Sequence, residues 1–374
     1  MTNADDKPPE NRSKAVAPRA GRLGPTIRDV ARVANVSIGT VSKALHNSGS
    51  LRKETRARVL EAVAELGFRP NELAQSLHRG ASATVGLISN DSFGRFTMPI
   101  MEGLEACLAE RRIAVFMCNA TDDPERERQH VEQLLSKRVD GLIVTSRRAD
   151  SRPRIDLGET GLPVIYVFSQ SDAPGSFCLL PDDEGGARLA TEHLISQGRQ
   201  RIAHITGPER FEAVRLRRKG YTKSLAMAGI EYDASLCLTG SWSEAWGREA
   251  VDRLFAEPAK APDALFCGND QIARGALDAL TLRGIRVPED VAIVGFDNWE
   301  VLTNATRPPL SSVDMNLYEL GREAGRHLMT MIDGETYGGV SRLPCTLVVR
   351  QSSQVADAKE QAGAKGIQEG HDHA

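Results

Sequence analysis

Two sets of residues in this chain have types and spacings suited to recognition chemistry. The first is compact: Ser37, Ile38, Gly39, Thr40, Ser42 and Lys43. Their hydroxyls suit phosphate oxygens, Ile38 suits a thymine methyl, and the Lys43 ammonium suits guanine O6 or N7. The second is dispersed: Arg217, Trp242, Asn269 with Asp270, and Asp297 with Asn298. A carboxylate can accept from two adjacent hydroxyls, a guanidinium can donate to others, and an indole can stack on a sugar face, so this set suits a polyol.

The first set needs helices to present it. Ile27, Val30, Ala31 and Ala34 recur at helical spacing, and Thr26 with Asp29 resembles a capping box, so a helix should start near Ile27. Asn35 and Val36 break the pattern. Ser37 can then cap a second helix whose Val41, Ala44 and Leu45 face the first. A third helix is expected at about Lys53 to Leu66, with Val59, Val63 and Leu66 inward and Gly67 as its stop. The pattern fits a helix-turn-helix whose second helix enters the DNA major groove, and it also fits an ordinary helical hairpin. Charge favours DNA. Residues 1 to 80 hold 14 Lys and Arg against 8 Asp and Glu, whereas the rest hold 33 against 42, so a basic head precedes an acidic body.

The 374 residues, 41% of them hydrophobic, can bury cores for two or three domains. No N-terminal apolar run resembles a signal peptide and no stretch approaches the roughly 18 apolar residues of a membrane span, so the expected location is the cytoplasm, with no membrane partner. Cys107, Cys118, Cys178, Cys237, Cys267 and Cys345 lack metal-ligand spacing and read as reduced core thiols. His371 and His373 are an isolated pair, so no metal and no cofactor is expected. Residues 1–24 are polar, charged and Pro-rich and read as a disordered basic tail, followed by a headpiece at 25–69. From Pro70 a helical pattern of about nine residues ends at Gly80, within a linker assigned to 70–82. A lone helix needs roughly 12 to 15 residues to be marginal in water, so this one should order only against another surface, such as DNA or a second subunit.

Residues 26 to 80 resemble the headpiece and hinge of the lactose-repressor (LacI/GalR) family of bacterial transcription regulators, through TIRDVARVANVS, TVSKAL, TRARV and FRPNELAQSL. The resemblance implies that Leu77 is a wedge into the central base step of the operator's minor groove, where contacts with the kinked duplex offset a few kcal/mol of lost stacking. It also places Thr26, His46, Asn71, Ala74 and His78 among the DNA-facing positions. His46 stands where the family commonly has Asn. Ile38 and Gly39 occupy the pair of positions that commonly read bases, and Gly39 has no side chain, so direct readout is thin.

From Thr84 short apolar runs alternate with amphipathic helices: TVGLIS, a helix at about Pro99 to Glu110, IAVFMCNA, a helix at Pro124 to Arg138, GLIVTS and PVIYVF. The rhythm restarts with a helix at Glu184 to Gln197, RIAHITG, helices at Ala213 to Ala228 and after Ser243, ALFCGND, a helix at Gln271 to Arg283, and VAIVGFDN. Two parallel sheets, hence two doubly wound lobes, are expected. Ligands sit beyond the carboxyl ends of such strands, where Asn269, Asp270, Asp297 and Asn298 fall, with Arg217 early in the helix after RIAHITG. Each also has a plain structural alternative: Asp270 as a helix cap, Arg217 as partner to a surface carboxylate, Asp297 as a loop stabiliser. SSVDMN, a helix at Leu317 to Ile332, and a last strand at Thr346 to Ser352 complete a domain assigned to 83–352; residues 353–374 read as a disordered tail without the leucine heptads of a tetramerising coil.

Residues 84 to 352 resemble the same family's effector domain, which shares its fold with periplasmic sugar-binding proteins, through AVRLRRKGY, GNDQIARGAL, RVPEDVAIVGFDN and PPLSSV. The resemblance places Phe96, Arg217, Trp242, Asn269 and Asp297 at or near effector contacts. Phe168 stands where the family's namesake has a carboxylate, which implies a different ligand. The expected whole is an all-α headpiece joined to a two-lobed, periplasmic-binding-protein-like α/β domain. It would act as a homodimeric repressor that leaves a pseudo-palindromic DNA operator when a small sugar-like effector binds. A co-repressor-dependent regulator and a solute-binding protein for transport are the alternatives. The latter lacks support from a signal peptide. A nucleotide-dependent enzyme lacks support from G-x-G-x-x-G or G-x-x-x-x-G-K-[ST].

Overall fold

The computed structural model describes residues 24–45, 48–68 and 81–354. The chain divides into two compact units, residues 1–80 and 81–374.

In the first unit, α1 (Ile27–Val33), α2 (Ile38–Leu45) and α3 (Lys53–Leu66) follow the expected order. Asn35 makes the turn in the left-handed region, at φ 48°. Gly67 ends α3 at φ 59°, and the Phe68 amide returns to the Val63 carbonyl at 3.0 Å, which satisfies a carbonyl the helix leaves open. Val30, Ala34, Val41, Val59 and Phe68 form the core. Val63 and Leu66, expected inward, pack only at its margin.

The second unit contains two six-stranded sheets. The first lobe is built on β1 (Thr84–Ser89), β2 (Ala114–Asn119), β3 (Gly141–Thr145), β5 (Val164–Val167) and β7 (Phe177–Pro181), with a small pair β4 (Ser151–Arg152) and β6 (Gln170–Ser171) beside it. The second lobe uses β8 (Ile202–Thr206), β9 (Cys237–Thr239), β10 (Ala264–Cys267), β11 (Ala292–Phe296) and β12 (Ser311–Asp314). The chain then recrosses. Strand β13 (Gly339–Leu343) joins the first lobe and β14 (Thr346–Val348) the second, giving orders β13-β7-β5-β3-β1-β2 and β14-β12-β11-β10-β8-β9. All pairings within the two sheets are parallel except β12 with β14. The last strand is therefore shorter than the expected 346–352: beyond it, Ser352 Oγ instead donates to the Ile293 carbonyl at 2.7 Å. The body also extends past 352, because Ser353 is buried and bonds His193 Nε2 at 2.8 Å. At the other end the Ser82 amide, assigned to the linker, donates to Asp140 at 2.7 Å and belongs to this unit.

Six helices flank these strands within the alternation, α4 (Thr97–Ala109), α5 (Pro124–Ser136), α6 (Asp183–Ser196), α7 (Glu212–Met227), α8 (Glu244–Leu254) and α9 (Asp270–Leu282); short α10 (Glu300–Thr303) and long α11 (Leu317–Ile332) follow. Several start earlier than periodicity alone suggests, and caps explain it. Asp182 accepts from the Gly185 amide at 3.0 Å, and Asn269 from the Ile272 amide at 2.8 Å. Helix α11 packs along α4 through paired glycines. A Cβ on Gly103 would lie 1.9 Å from the Tyr318 carbonyl oxygen, and one on Gly321 would lie 2.0 Å from that of Ile100. The six cysteines are free; Cys178, Cys267 and Cys345 are buried, whereas Cys107, Cys118 and Cys237 are only half-buried. Among the described residues no helix is long and apolar enough to cross a membrane.

Candidate functional site

On α2 the buried Val41 and Ala44 set the inward face. The helical repeat then puts Ile38, Gly39, Ser42 and Lys43 together on the opposite side. Ser37, Ile38, Gly39 and Lys43 are exposed, Ile38 by 45%. Ser37 caps the helix by accepting the Thr40 amide at 3.1 Å, and the two hydroxyls lie 2.9 Å apart. Thr26 opens α1 with the expected capping box. Its hydroxyl donates to Asp29 at 2.6 Å and its amide to the same oxygen at 2.9 Å, and these bonds pull the Asp29 carboxyl down to about 2. That hydroxyl is committed to the helix start. His46, Asn71, Ala74, Leu77 and His78 lie outside the described residues, as do His371 and His373.

In the body, the carboxyl ends of β8, β10 and β11 gather the second set apart from Trp242. Arg217, buried on α7, donates through Nε to Asp183 at 2.8 Å and through Nη1 to the Gly268 carbonyl at 2.5 Å, and its guanidinium lies 3.6 Å from the centre of the Phe296 ring. Its Nη1 is 3.8 Å from Asp297. The plain alternative for Arg217 thus holds in altered form: its partner is a carboxylate, but a buried one. Asn269 is 4% exposed and its side-chain oxygen caps α9.

Asp270 is not that cap. It accepts the Trp299 amide at 2.7 Å and the Ser312 hydroxyl at 2.5 Å, clamping the loop after β11 to the start of α9. Burial, then repulsion from Asp297, pushes its carboxyl up to about 8. The clamped loop holds Asp297 at φ 102° and Asn298 at φ 46°. Such backbone costs about 1–3 kcal/mol and persists only where its surroundings fix it. Here they are the clamp and the Asp297 amide's 2.8 Å bond to the Val313 carbonyl. Burial pushes the Asp297 carboxyl up, and the Arg95 guanidinium pulls against it.

Arg95 comes from the first lobe. Asp91 accepts the Phe96 and Thr97 amides at 2.8 and 3.1 Å, so α4 begins at Thr97, two residues before the expected start, with Arg95 and Phe96 at its mouth. Arg95 Nη2 lies 2.5 Å from Asp297, Nη1 lies 3.4 Å from Gln271 Oε1, and the guanidinium stands 4.9 Å from the Phe96 ring and 4.6 Å from the Trp299 ring. Phe96 packs on buried Phe168, ring centres 5.0 Å apart. Arg95, Phe96, Asp297 and Trp299 border a groove of about 450 Å³ that continues past Asp314, Leu317 and Tyr318.

Arg217, Asn269 and Asp297 are therefore brought together, and Phe96 with Phe168 reaches them through Arg95. Trp242 stands at a neighbouring strand end, over Gly207 and 6.4 Å from Phe211. Arg95, Asp183 and Asp270 as a clamp were missed. Arg95 adjoins Phe96, so a charge search of that loop would have found it, whereas the pairing of Asp183 with Arg217 spans 34 positions and has no local signature.

A family model described as bacterial regulatory proteins, lacI family, matches residues 26–71, and a periplasmic binding protein-like domain matches 191–353. The transcriptional repressor PurR of Aliivibrio fischeri (strain MJ11) is 34% identical over 309 residues, 82% of this chain and 91% of that protein. The repressor CytR of Escherichia coli (strain K12) is 33% identical over 334 residues, 88% of this chain and 96% of that protein. Among solved structures, a lac repressor dimer bound to operator is 28% identical with a TM-score of 0.71, covering 89% of this chain and all of that one. A CelR–cellobiose complex is 31% identical with a TM-score of 0.59, covering 88% of this chain and 99% of that one. All four are regulators rather than enzymes. The helix-turn-helix unit, the two parallel-sheet lobes and relatives spanning both place this chain in the lacI family of bacterial regulatory proteins.

Proposed function

We propose that the protein is a homodimeric transcriptional repressor that holds a pseudo-palindromic DNA operator and releases it when a small sugar-like effector binds between the lobes. The observation that carries the effector half is Asp297. A carboxylate with its side chain only 7% exposed, held in unfavourable backbone at the ends of the strands, with Arg217 3.8 Å away and Asn269 at the neighbouring strand end, is an arrangement built to accept hydroxyls. The lac repressor bound to operator and the CelR–cellobiose complex support the two halves of this reading. Ile38, Gly39 and Lys43 are the base-facing candidates, Ser37, Thr40 and Ser42 those for phosphate. With Gly39 contributing no side chain, specificity leans on DNA deformability and on the Leu77 wedge that the resemblance implies. Edge strand β2, with Phe116 46% and Met117 39% exposed, offers apolar surface for a second copy.

The test is capture of genomic fragments by the full chain, followed by challenge with a panel of sugars and polyols. A footprint over two half-sites and its loss with one of the panel is the expected result. Capture strengthened by a sugar would reverse the sign to co-repression, and no sequence-selective capture would remove the repressor reading. Asp297→Ala should keep the footprint and lose the sugar response. Leu77→Ala should weaken specific binding far more than non-specific binding.

A further inference from the structure

The acceptor assigned to the effector already has an occupant from the protein itself. Arg95, on the first lobe, reaches Asp297 and Gln271 of the second, and its guanidinium is flanked by Phe96 of its own lobe and Trp299 of the other. A carboxylate with two aromatic faces is a full recognition site for a planar cation. Arg217 also faces Asp297, but at 3.8 Å and with its Nε and Nη1 engaged by Asp183 and the Gly268 carbonyl, so Arg95 makes the closer contact. We propose that Arg95 is an internal occupant and specificity-determining residue of the effector site: it draws the lobes together without ligand, and the effector is a neutral or cationic hydroxyl-bearing molecule that displaces it. This rests on the reading of the cleft as an effector site.

The class of ligand follows from what surrounds the guanidinium. The groove is bordered by Arg95 and by four carboxylates, Asp297, Glu300, Asp314 and Glu319. An anionic ligand taking the place of Arg95 would meet like charge, whereas the displaced guanidinium has other carboxylates nearby to join. Trp299, Glu300, Tyr318 and Glu319 would then face the part of the ligand beyond Asp297. A competing occupant weakens apparent affinity by the fraction of molecules it blocks, so removing it should tighten binding. A ligand contact behaves in the opposite way.

The experiment uses the full chain as wild type, Arg95→Ala and Arg95→Gln, the amide variant being retained in case the alanine variant does not fold. X-ray scattering without ligand should show a larger radius of gyration in the variants. Calorimetric titration with cellobiose, glucosamine and glucuronate should give binding of the neutral or cationic sugar about tenfold tighter in the variants, with glucuronate the poorest of the three. Unchanged scattering in folded variants overturns the internal occupant. Weaker sugar binding in the variants makes Arg95 a ligand contact and also overturns it, and glucuronate as the best ligand overturns the class. Operator capture on the same samples separates the two readings: protein that opens on losing Arg95 but captures no DNA leaves the occupant standing and removes the regulator.

Discussion

The headpiece and the effector body solve opposite problems with the same residue types. On α2 the charged and hydroxyl side chains stand in water on a core of a few small residues, and their placement follows from the helical repeat. At the site in the body the charged side chains are withdrawn from water, and each is held by a partner from another element: Arg217 by Asp183, Asp270 by Trp299 and Ser312, Asp297 by Arg95. An exposed cation is free to meet phosphate and adds little to stability. A buried one is part of the fold as well as of the site.

That contrast predicts the largest effect at Arg217. Arg217→Met should destabilise the body by about 3–5 kcal/mol by leaving Asp183 buried and unpaired, lowering its melting temperature by roughly 10 °C. Calorimetry showing an unchanged transition would make Arg217 as free as a headpiece cation and break the comparison.

Next comes Asp270, whose carboxyl is raised to about 8 in the fold against an ordinary value near 4. An acid raised in this way favours the folded state fully below about pH 4, and that contribution is lost as pH rises through about 8. Wild type should therefore lose up to roughly 10 °C of melting temperature between pH 5 and pH 8 relative to Asp270→Asn. Parallel profiles would show that the clamp is ionised throughout.

In the headpiece, Lys43→Ala should cost about tenfold in operator affinity, reduce the salt slope by about one, and leave stability untouched. A shifted unfolding transition would mean that Lys43 is a structural residue after all. Smallest is Gly67→Ala, which forces a side chain into φ 59° and should cost the headpiece about 1 kcal/mol, read by denaturant unfolding, with no effect on ligand binding.

The same contrast explains what the sequence disclosed. Helix α3 was legible to its last residue because periodicity and a terminal glycine are local signals. Buried parallel strands such as TVGLIS were legible as apolar runs. Strand β13 was not, since GVSRL is mostly exposed and alternates weakly, and its partner is Phe177–Pro181, far back in the chain. At the site, positions after strands pointed to Asn269 and Asp297. What they left out was which charge answers which, because Arg95 and Asp297 meet only when two lobes are in place, across 202 positions.

The return of the chain to the first lobe has a consequence for synthesis. Helix α11 and strand β13 are translated after most of the second lobe, yet the face of α4 carrying Ile100, Gly103 and Leu104 is covered by α11. On the ribosome the first lobe must therefore wait, its apolar helix face uncovered until Ile332 and its sheet incomplete until Leu343 has emerged. The lobe begun first is finished only with the second, and a chain stopped short of Leu317 should be one for chaperones and proteases rather than a smaller working domain.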